Sequence, residues 1–384
     1  MSKYENDLVY GRDKTERIVG LEVKDDLLYI YQEMEDGSIV KSTRPAAYWV
    51  ITNTQISPKQ DRLEGHQFYK YFAEFDSQTE YKDVVSKLYQ KRSDFYRIAD
   101  PVEAMMVLEG MTYFKGMKPN EVSILSWDIE SDGLKKTEDS EIYIISNTYR
   151  SATGEEVRHS FYLDDYDSQA DMLLDWCDFV NELNPSIMVG HNIYGYDWEY
   201  ITHVADLNNV SLNIGRDGSA IRFNNRTSMF RKDGSQSLEY TKVYVFGRTI
   251  IDSMFLSYKY DIGRAFPSYG LKPIIRHLGL EKKDRTFVDA SMIKKYFYER
   301  EKYPGMWELA KAYASDDSDD ALKLYDLMIP GFFYWTQSIS KTFQEINTGA
   351  TGAQTNNLMV RSYLQHGHSI AKASEVSHFK GAIS

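Results

Sequence analysis

Near residue 120 the hydrophobic pattern of the chain changes from strict alternation to continuous apolar runs. The segments VSILSW (122–127) and IMVG (187–190) are uncharged, and the second follows a helical pattern over residues 169–183. Further strand patterns cover residues 141–148 and 158–163. Continuous apolar strands are buried on both faces, and strands that alternate with helices are typical of an α/β sheet. The sequence therefore predicts an α/β domain in the middle of the chain.

The preceding residues predict a smaller, β-rich α+β domain. Four alternating segments between residues 17 and 52 are separated by short polar turns, one of which contains Asp36-Gly37. Asp-Gly between alternating runs indicates a hairpin, so we expect a four-stranded antiparallel meander. Helical spacing over residues 80–95, and a second helix capped by Asp100-Pro101, complete a domain over residues 1–115.

Length and charge limit the classes of function. The 384 residues predict two or three domains at roughly 150 residues each, and 57 acidic against 45 basic residues exclude a protein that coats nucleic acid nonspecifically. A single cysteine, Cys177, can form neither an internal disulfide nor a cysteine zinc site. The sequence contains no apolar run of about eighteen residues, the length of a membrane-spanning helix. We therefore expect a soluble cytoplasmic protein with no membrane partner. The expected source is a bacterial, archaeal or phage-infected host cell.

Asp128 and Glu130 stand at the end of the strand SILSW. Side chains two apart on a strand share a face, so the two carboxylates can converge on one hard divalent cation. The pattern alone has little specificity, because acid-x-acid triplets should occur by chance on the order of eight times in this chain. A solvated strand end is the alternative.

A second polar group follows the buried strand at 187–190, in the sequence Gly-His-Asn-Ile-Tyr-Gly-Tyr-Asp that ends at Asp197. Burial up to this turn places Asp197 at the carboxyl edge of the sheet, where open α/β sheets carry their sites. The alternative is that Asp197 only caps a helix over residues 198–204.

A third group lies in a predicted helix that starts near residue 307. Tyr313 and Asp317 are four residues apart and therefore share a helix face. Asp316, Asp319 and Asp320 crowd the same turn, where acids repel one another unless a cation or solvent neutralises them. Three of the four acids could simply be solvated, and spacing alone does not say which one is not.

The three groups follow one another in a fixed order: Asp-x-Glu on a strand, Asn-x-x-x-Tyr-Asp on a strand and its turn, and Tyr-x-x-x-Asp on a helix. This order resembles the three exonuclease motifs of the family B DNA polymerases. The resemblance implies an RNase H-like (DEDD) fold and 3′-to-5′ proofreading hydrolysis of the terminal phosphodiester. It also implies two Mg²⁺ ions, for which Mn²⁺ can substitute, held by Asp128, Glu130, Asp197 and Asp317. Tyr313 would orient the attacking water.

The resemblance extends to residues that would hold DNA. Asn192 and Tyr196 occupy the motif positions that hold the single-stranded 3′ end in the family. The connecting region of archaeal and phage enzymes is similar to residues 214–219, 247–252 and 269–272. In those enzymes a β-hairpin of this region helps separate primer from template. Independently, residues 216–285 contain 14 basic against 7 acidic residues, a pattern that can bind a phosphate backbone or merely flank strands. The candidate contacts are Arg222, Arg226, Arg231 and Lys232.

The same resemblance implies how the chain is organised. It assigns residues 1–115 to the N-terminal domain of the family, residues 116–335 to the exonuclease domain and residues 336–384 to a helical segment that leads to the palm and packs on the N-terminal domain. The Asp-x-x-Ser-Leu-Tyr-Pro-Ser and Tyr-Gly-Asp-Thr-Asp-Ser motifs of the polymerase site do not occur. We therefore expect palm, fingers and thumb on a second chain or in further sequence, with primer-template DNA and a sliding clamp as the other partners.

Two alternatives stay open. A free-standing repair or RNA-processing exonuclease of the same superfamily would share the carboxylates but would not need the N-terminal domain, and preference for RNA would require tolerance of the 2′-hydroxyl. A noncatalytic DNA-binding or assembly module of a replisome would carry the acids as relics. All four carboxylates and Tyr313 are present, which disfavours the second alternative.

Overall fold

The computed structural model describes residues 3–57, 60–232 and 236–373. Its first three strands form an antiparallel sheet in which the second strand lies between the first and the third. The turn between the first two strands is formed by Asp25 and Asp26, which have φ of 53° and 56°. Positive φ at both residues is the hairpin geometry that Asp tolerates well. A short helix precedes the strands, and the elements are α1 (Asp7–Tyr10), β1 (Ile18–Lys24), β2 (Leu27–Glu33) and β3 (Ile39–Pro45).

The fourth predicted strand does not extend this sheet, so the predicted four-stranded meander is wrong in its last strand. Pro45 ends β3, and the next strand is buried at all five residues, as expected for a central strand. It lies inside a separate sheet with the order β5-β6-β4-β7. The strands are β4 (Tyr48–Thr52), β5 (Asp61–Arg62), β6 (Tyr71–Phe75) and β7 (Phe95–Tyr96).

Both predicted N-terminal helices are confirmed as α2 (Gln78–Gln90) and α3 (Pro101–Glu109). The Asp100 side chain accepts a hydrogen bond from the Glu103 backbone N–H at 3.0 Å and so caps α3. Gly110, at φ 72°, ends the helix in the left-handed conformation that favours glycine.

The predicted α/β domain is confirmed as a five-stranded sheet in the order β10-β9-β8-β11-β16. The first three strands are antiparallel, whereas β11 runs parallel to both β8 and β16. The carboxyl ends of these three parallel strands therefore meet at one edge of the sheet. The elements are β8 (Ile124–Ser131), β9 (Ile142–Arg150), β10 (Glu156–Tyr162), α4 (Gln169–Leu183), β11 (Ile187–Gly190), α5 (Asp197–Leu207), β12 (Arg222–Phe223), β13 (Ser228–Arg231), β14 (Ser237–Tyr240), β15 (Val243–Tyr244) and β16 (Thr249–Asp252).

Between α5 and β16 the strands form two small antiparallel pairs, β12 with β15 and β13 with β14. The second pair lies in the connecting region, for which the family resemblance implies a β-hairpin, and residues 233–235 between its strands lie outside the described residues. Phe230 on this hairpin stacks on Phe255 of the following helix with ring centroids 4.1 Å apart, which anchors the hairpin to the sheet domain. Three helices follow, α6 (Ser253–Tyr260), α7 (Leu271–His277) and α8 (Ile293–Tyr298).

The longest helix, α9 (Met306–Thr336), crosses β8 and β9 and is followed by α10 (Phe343–Thr348) and α11 (Thr351–Gln365). The segment 336–384 contains two helices, α10 and α11, as expected for a helical segment, while residues 374–384 lie outside the described residues. One apolar core runs from Ile30 of the first sheet through Ile124 of β8 to Leu324 of α9, so the N-terminal strands and the central sheet share it. Among the described residues, no helix has the length and apolarity needed to span a membrane.

Candidate active site

Three carboxylates from two elements converge at the edge of the central sheet. Asp128 and Glu130 project from the same face of β8, because the intervening Ile129 packs into the core on the other face. Within the described part of the chain, the oxygens of these two residues and of Asp317 on α9 all lie within 4.8 Å of one another. The structure thus brings together the first and third groups of acids.

The position of α9 over the sheet explains how Asp317 reaches β8. The Ser126 hydroxyl on β8 donates to the Ser318 carbonyl at 2.7 Å, and the Ser318 hydroxyl lies 3.1 Å from that of Thr148 on β9. These contacts fix the helix next to the strand ends. Tyr313 lies one helical turn before Asp317 and is buried on the same face.

Asp197 lies beside the three-carboxylate group rather than within it. It is the first residue of α5, and its Oδ1 accepts a bond from the Ile129 backbone N–H at 3.4 Å. Asp197 is buried, and its negative charge is among the causes that raise the pKa of Asp128. The second group therefore meets the first across neighbouring parallel strands.

A buried carboxylate whose structural role the sequence did not predict holds the turn before Asp197. Asp252, at the end of β16, accepts bonds from the backbone N–H groups of Asn192 at 2.9 Å and Tyr194 at 3.2 Å, and it also caps α6. Asn192 needs such support, because its φ of 67° is unusual for a residue other than glycine. The only sequence signal for Asp252 was its place after a buried strand.

The two candidate strand-binding residues of this turn are half-buried. Asn192 faces Gly195, where an added Cβ would lie 2.4 Å from the Asn192 Oδ1, so a side chain at position 195 would displace the Asn192 amide. The Tyr196 hydroxyl donates to the Gly133 carbonyl in the loop after β8 at 2.8 Å and contacts Ser131 at the end of β8. The turn and the loop are thereby joined next to Glu130.

Two cations that the sequence did not predict as site residues contact Asp317. Lys272, near the start of α7, has its Nζ 2.7 Å from Asp317 Oδ2 and also bonds to the Tyr313 hydroxyl. Arg285 bonds to the other oxygen, Oδ1, and to Asp320. Lys272 and Arg285 are 45 and 32 residues from Asp317 in the chain, so no local spacing could have indicated either contact.

The alternative that three of the four clustered acids are solvated does not hold, because only Asp319 is partly exposed. Asp316, Asp317 and Asp320 are buried, because loops that precede α9 and the helix itself bring cations to them. The ion pairs are Lys282 with Asp316 at 2.6 Å, Lys323 with Asp320 at 2.8 Å, and Arg158 with the more exposed Asp319 at 2.9 Å.

Burial raises the pKa values of the four candidate ligands, and neighbouring carboxylates raise those of Asp128, Glu130 and Asp197 further. Loss of hydration is the largest cause in each case, followed for Asp128 and Glu130 by the charges of neighbouring carboxylates. The pKa of Glu130 rises to about 8 and that of Asp197 to about 7. Such a cluster is stabilised by protonation or by a nearby positive charge.

The candidate phosphate contacts lie on different elements: Arg231 is the last residue of β13, whereas Arg222 lies on β12, where its guanidinium carbon is 4.9 Å from the centre of the Tyr244 ring. Arg222, Arg226 and Arg231 are exposed, and Lys232 lies with its Nζ 5.0 Å from the centre of the Tyr258 ring. Other basic residues of segment 216–285 are engaged internally, so the basic surface is smaller than the sequence suggested. The engaged residues are Arg216, Lys242, Arg248, Lys259, Lys272, Arg276, Lys282 and Arg285.

Comparison with known proteins places these observations in a family. Residues 76–274, just over half of the 384 residues, match the family described as DNA polymerase family B, exonuclease domain. The chain belongs to this family. The family B assignment agrees with the resemblance seen in the three groups of acids, and the exonuclease domain is RNase H-like, as predicted.

Two relatives show how much of a family B polymerase the chain covers. It is 33% identical over 126 residues to the DNA polymerase delta catalytic subunit of rice (Oryza sativa subsp. japonica), an alignment that covers 31% of this chain and 11% of the rice protein. Its fold matches the family B DNA polymerase of the hyperthermophilic archaeon Pyrobaculum calidifontis with a TM-score of 0.70 and 15% identity, over 94% of this chain and 52% of the archaeal chain. The chain thus spans about half of the archaeal polymerase.

The donor set of this family B site fits divalent cations. Asp128, Glu130 and Asp317 offer only carboxylate oxygens, the ligands that Mg²⁺ and Mn²⁺ prefer, at separations that one ion can bridge. The raised pKa values show that the carboxylates lack sufficient compensating charge of their own. Cations at this position would supply that charge.

Without divalent cations, the free energy of unfolding should decrease as the pH rises from about 5 to about 8. Glu130 and Asp197 have raised pKa values in the folded chain, so their contribution to stability is present below their unfolded pKa near 4 and is lost as pH passes through about 7 and about 8. Mg²⁺ should therefore raise the melting temperature by ~3 °C or more at pH 8 and less at pH 6.

Thermal unfolding followed by circular dichroism, with EDTA or Mg²⁺ at both pH values, measures this difference. Glu130→Gln removes one of the titrating groups and should flatten the pH dependence recorded in EDTA. An equal effect of Mg²⁺ at pH 6 and pH 8 would contradict the prediction.

Proposed function

We propose that this chain is the N-terminal and 3′-to-5′ exonuclease part of a family B DNA polymerase, and that it removes nucleotides from single-stranded or frayed 3′ ends of DNA. The observation that carries the proposal is the convergence of Asp128, Glu130 and Asp317 within a family B exonuclease domain. Asp197, next to them, is the fourth proposed ligand of two Mg²⁺ ions.

The proposed chemistry assigns separate tasks to the ions and to the chain. Bound divalent cations would lower the pKa of a water and stabilise charge on the leaving 3′ oxygen. Asp128, Glu130, Asp197 and Asp317 would hold the ions at the edge of the sheet. Tyr313 stays neutral, because burial raises its pKa, and its hydroxyl accepts a bond from Lys272. It therefore keeps its own proton available to donate while the attacking water is oriented.

The strand would reach this edge past the turn before α5 and the hairpin β13–β14. Asn192 and Tyr196 are the proposed contacts to the 3′-terminal nucleotides, since both lie on the turn that leads to Asp197. Arg222, Arg226, Arg231 and Lys232 are the proposed contacts to phosphates further along the strand. Their exposure supports this assignment, since a phosphate contact must be reachable from solvent.

The polymerase palm, fingers and thumb are the proposed partners, on another chain or in further sequence, together with primer-template DNA and a sliding clamp. The matched archaeal polymerase is about twice as long as the part that this chain covers. Tyr334 and Trp335 at the end of α9, and Met359 and Tyr363 on α11, are large side chains that remain exposed. We propose this surface as the side that meets the polymerase part.

The native chain should shorten a 5′-labelled single strand and a 3′-mismatched duplex one nucleotide at a time when Mg²⁺ is present. A fully paired duplex should be shortened more slowly, because its 3′ end must first fray. A 3′-labelled strand should release its label as a mononucleotide at the first step, and EDTA should stop the reaction. Denaturing gels of time courses measure all of these products.

The same assay separates the alternatives. An RNA strand of identical sequence that is degraded as fast as DNA would favour an RNA-processing exonuclease. Internal cuts, or DNA left intact with both Mg²⁺ and Mn²⁺, would overturn the proposed activity of this chain.

A further inference from the structure

Arg285 lies beneath the third group of acids with only 1% of its side chain exposed. Its Nε donates to Asp320 Oδ2 at 2.7 Å, one terminal nitrogen bonds to Asp317 Oδ1, and the other donates to the Thr286 carbonyl at 2.9 Å. The guanidinium carbon is 4.9 Å from the centre of the Phe287 ring. A planar guanidinium held in three directions has a fixed orientation.

The two oxygens of Asp317 therefore have partners of different kinds. Oδ1 is bound by the buried guanidinium, whereas Oδ2 is bound by the Lys272 ammonium, which is 31% exposed on a flexible side chain. Lys272 can withdraw when another cation arrives, because its stem has four rotatable carbons and its side chain is partly exposed. Arg285 has no comparable freedom.

We propose that Arg285 is a positioning residue that restricts Asp317 to a single metal-binding oxygen, Oδ2. This inference rests on the proposed function, in which Asp317 is a metal ligand. Asp320 is held away from the cation site by the same guanidinium on Oδ2 and by Lys323 on Oδ1. Arg285 thus both orients the ligand and withdraws a neighbouring acid from competition for the cation.

Arg285→Met should tighten Mn²⁺ binding and slow the reaction. Removal of a positive charge next to Asp317, and release of its second oxygen, should increase Mn²⁺ affinity about two- to tenfold. The altered ligand geometry should lower kcat about tenfold with little change in KM for the strand. Electron paramagnetic resonance of Mn²⁺ titrated into the full chain, without DNA, gives the affinity, and single-strand digestion gives kcat and KM.

Arg158→Gln is the matched control, because Arg158 makes the same kind of ion pair with Asp319 on the same helix, outside the three-carboxylate group. It should leave Mn²⁺ affinity and kcat within about twofold of the native values. Arg285→Lys keeps the charge but cannot bridge two carboxylates, so Mn²⁺ affinity should stay near native while kcat falls at least about threefold. If Arg285→Met does not fold, the Mn²⁺ affinity and kcat of Arg285→Lys test the proposal on their own.

Weaker Mn²⁺ binding in Arg285→Met, together with a lower melting temperature, would overturn the proposal, because Arg285 would then only support the fold. Native Mn²⁺ affinity and native kcat in both Arg285 variants would also overturn it. Asp317→Asn separates this failure from failure of the proposed function. If Asp317→Asn binds Mn²⁺ like the native chain, Asp317 is not a ligand. If it loses binding while the Arg285 variants behave as native, only the role of Arg285 is wrong.

Discussion

Replacing Asp128 or Asp317 with asparagine should slow removal of the 3′-terminal nucleotide by about 10³-fold, which corresponds to ~4 kcal/mol of lost transition-state stabilisation. Asparagine preserves the shape of the side chain but removes the negative charge that holds a cation. Both carboxylates belong to the group whose oxygens lie within 4.8 Å of one another. The loss should appear in kcat measured on a single strand with saturating Mg²⁺.

Asp128→Asn should leave the chain at least as stable as the native protein when metal is absent. Burial and the charges of neighbouring carboxylates raise the pKa of Asp128, so removing its charge relieves the folded state at neutral pH. Activity and stability should therefore change in opposite directions. A variant that loses activity because it unfolds would instead show a lower melting temperature in EDTA.

Asp319→Asn is the matched control on the same helix. Asp319 bonds to the Thr148 hydroxyl at 2.6 Å and to Arg158, and it lies outside the three-carboxylate group. Its replacement should change kcat by less than about threefold. Equal losses in the Asp317 and Asp319 variants would show that the activity responds to general changes in α9 rather than to a metal ligand.

Local periodicity predicted most of the elements that carry the candidate site. A strand that is buried up to its last residue must end at a sheet edge, which is why Asp128 and Asp197 could be placed together from sequence. The spacing of Tyr313 and Asp317 required only that the segment be helical. These inferences succeeded because each depends on neighbours within a few residues of the chain.

The sequence did not predict features that depend on contacts between segments far apart in the chain. The strand β4 begins only two residues after β3 and was expected to pair with it, yet its sheet is set by pairing with β6 and β7, which follow later in the chain. The sequence left open whether the acids near Asp317 are solvated, because their counter-ions, Lys282 and Arg285, come from a loop about thirty residues earlier. A linear sequence does not say which loop folds over which helix.

Lys341→Met should reduce the free energy of unfolding by about 3–5 kcal/mol, the largest stability effect expected outside the apolar core. Lys341, between α9 and α10, has its Nζ 2.6 and 2.7 Å from the two carboxylate oxygens of Glu103 on α3, and both side chains are buried. Asn357 of α11 donates to the same carboxylate at 3.2 Å. Methionine would leave Glu103 as a buried charge with a single neutral donor. Urea unfolding measures the loss.

Glu103 also makes this effect dependent on pH. Its pKa is raised to about 7 by burial, and Lys341 opposes that rise. Without Lys341 the pKa of Glu103 should rise further, so below pH 6 the acid is protonated, carries no charge and tolerates burial. The loss caused by Lys341→Met should therefore be smaller at pH 6 than at pH 8.

The double variant Glu103→Gln with Lys341→Met tests whether the pair joins the C-terminal helices to the N-terminal domain. A buried pair of neutral side chains reduces the free energy of unfolding much less than a lone buried charge does. The double variant should therefore recover most of the stability lost in Lys341→Met. Mn²⁺ affinity should be native in the double variant, since neither residue is near Asp128 or Asp317 in the proposed site. A loss below 1 kcal/mol in Lys341→Met at pH 8 would instead mean that residues 336–373 are not held against α3 in solution, and the proposed packing of the C-terminal segment on the N-terminal domain would be wrong.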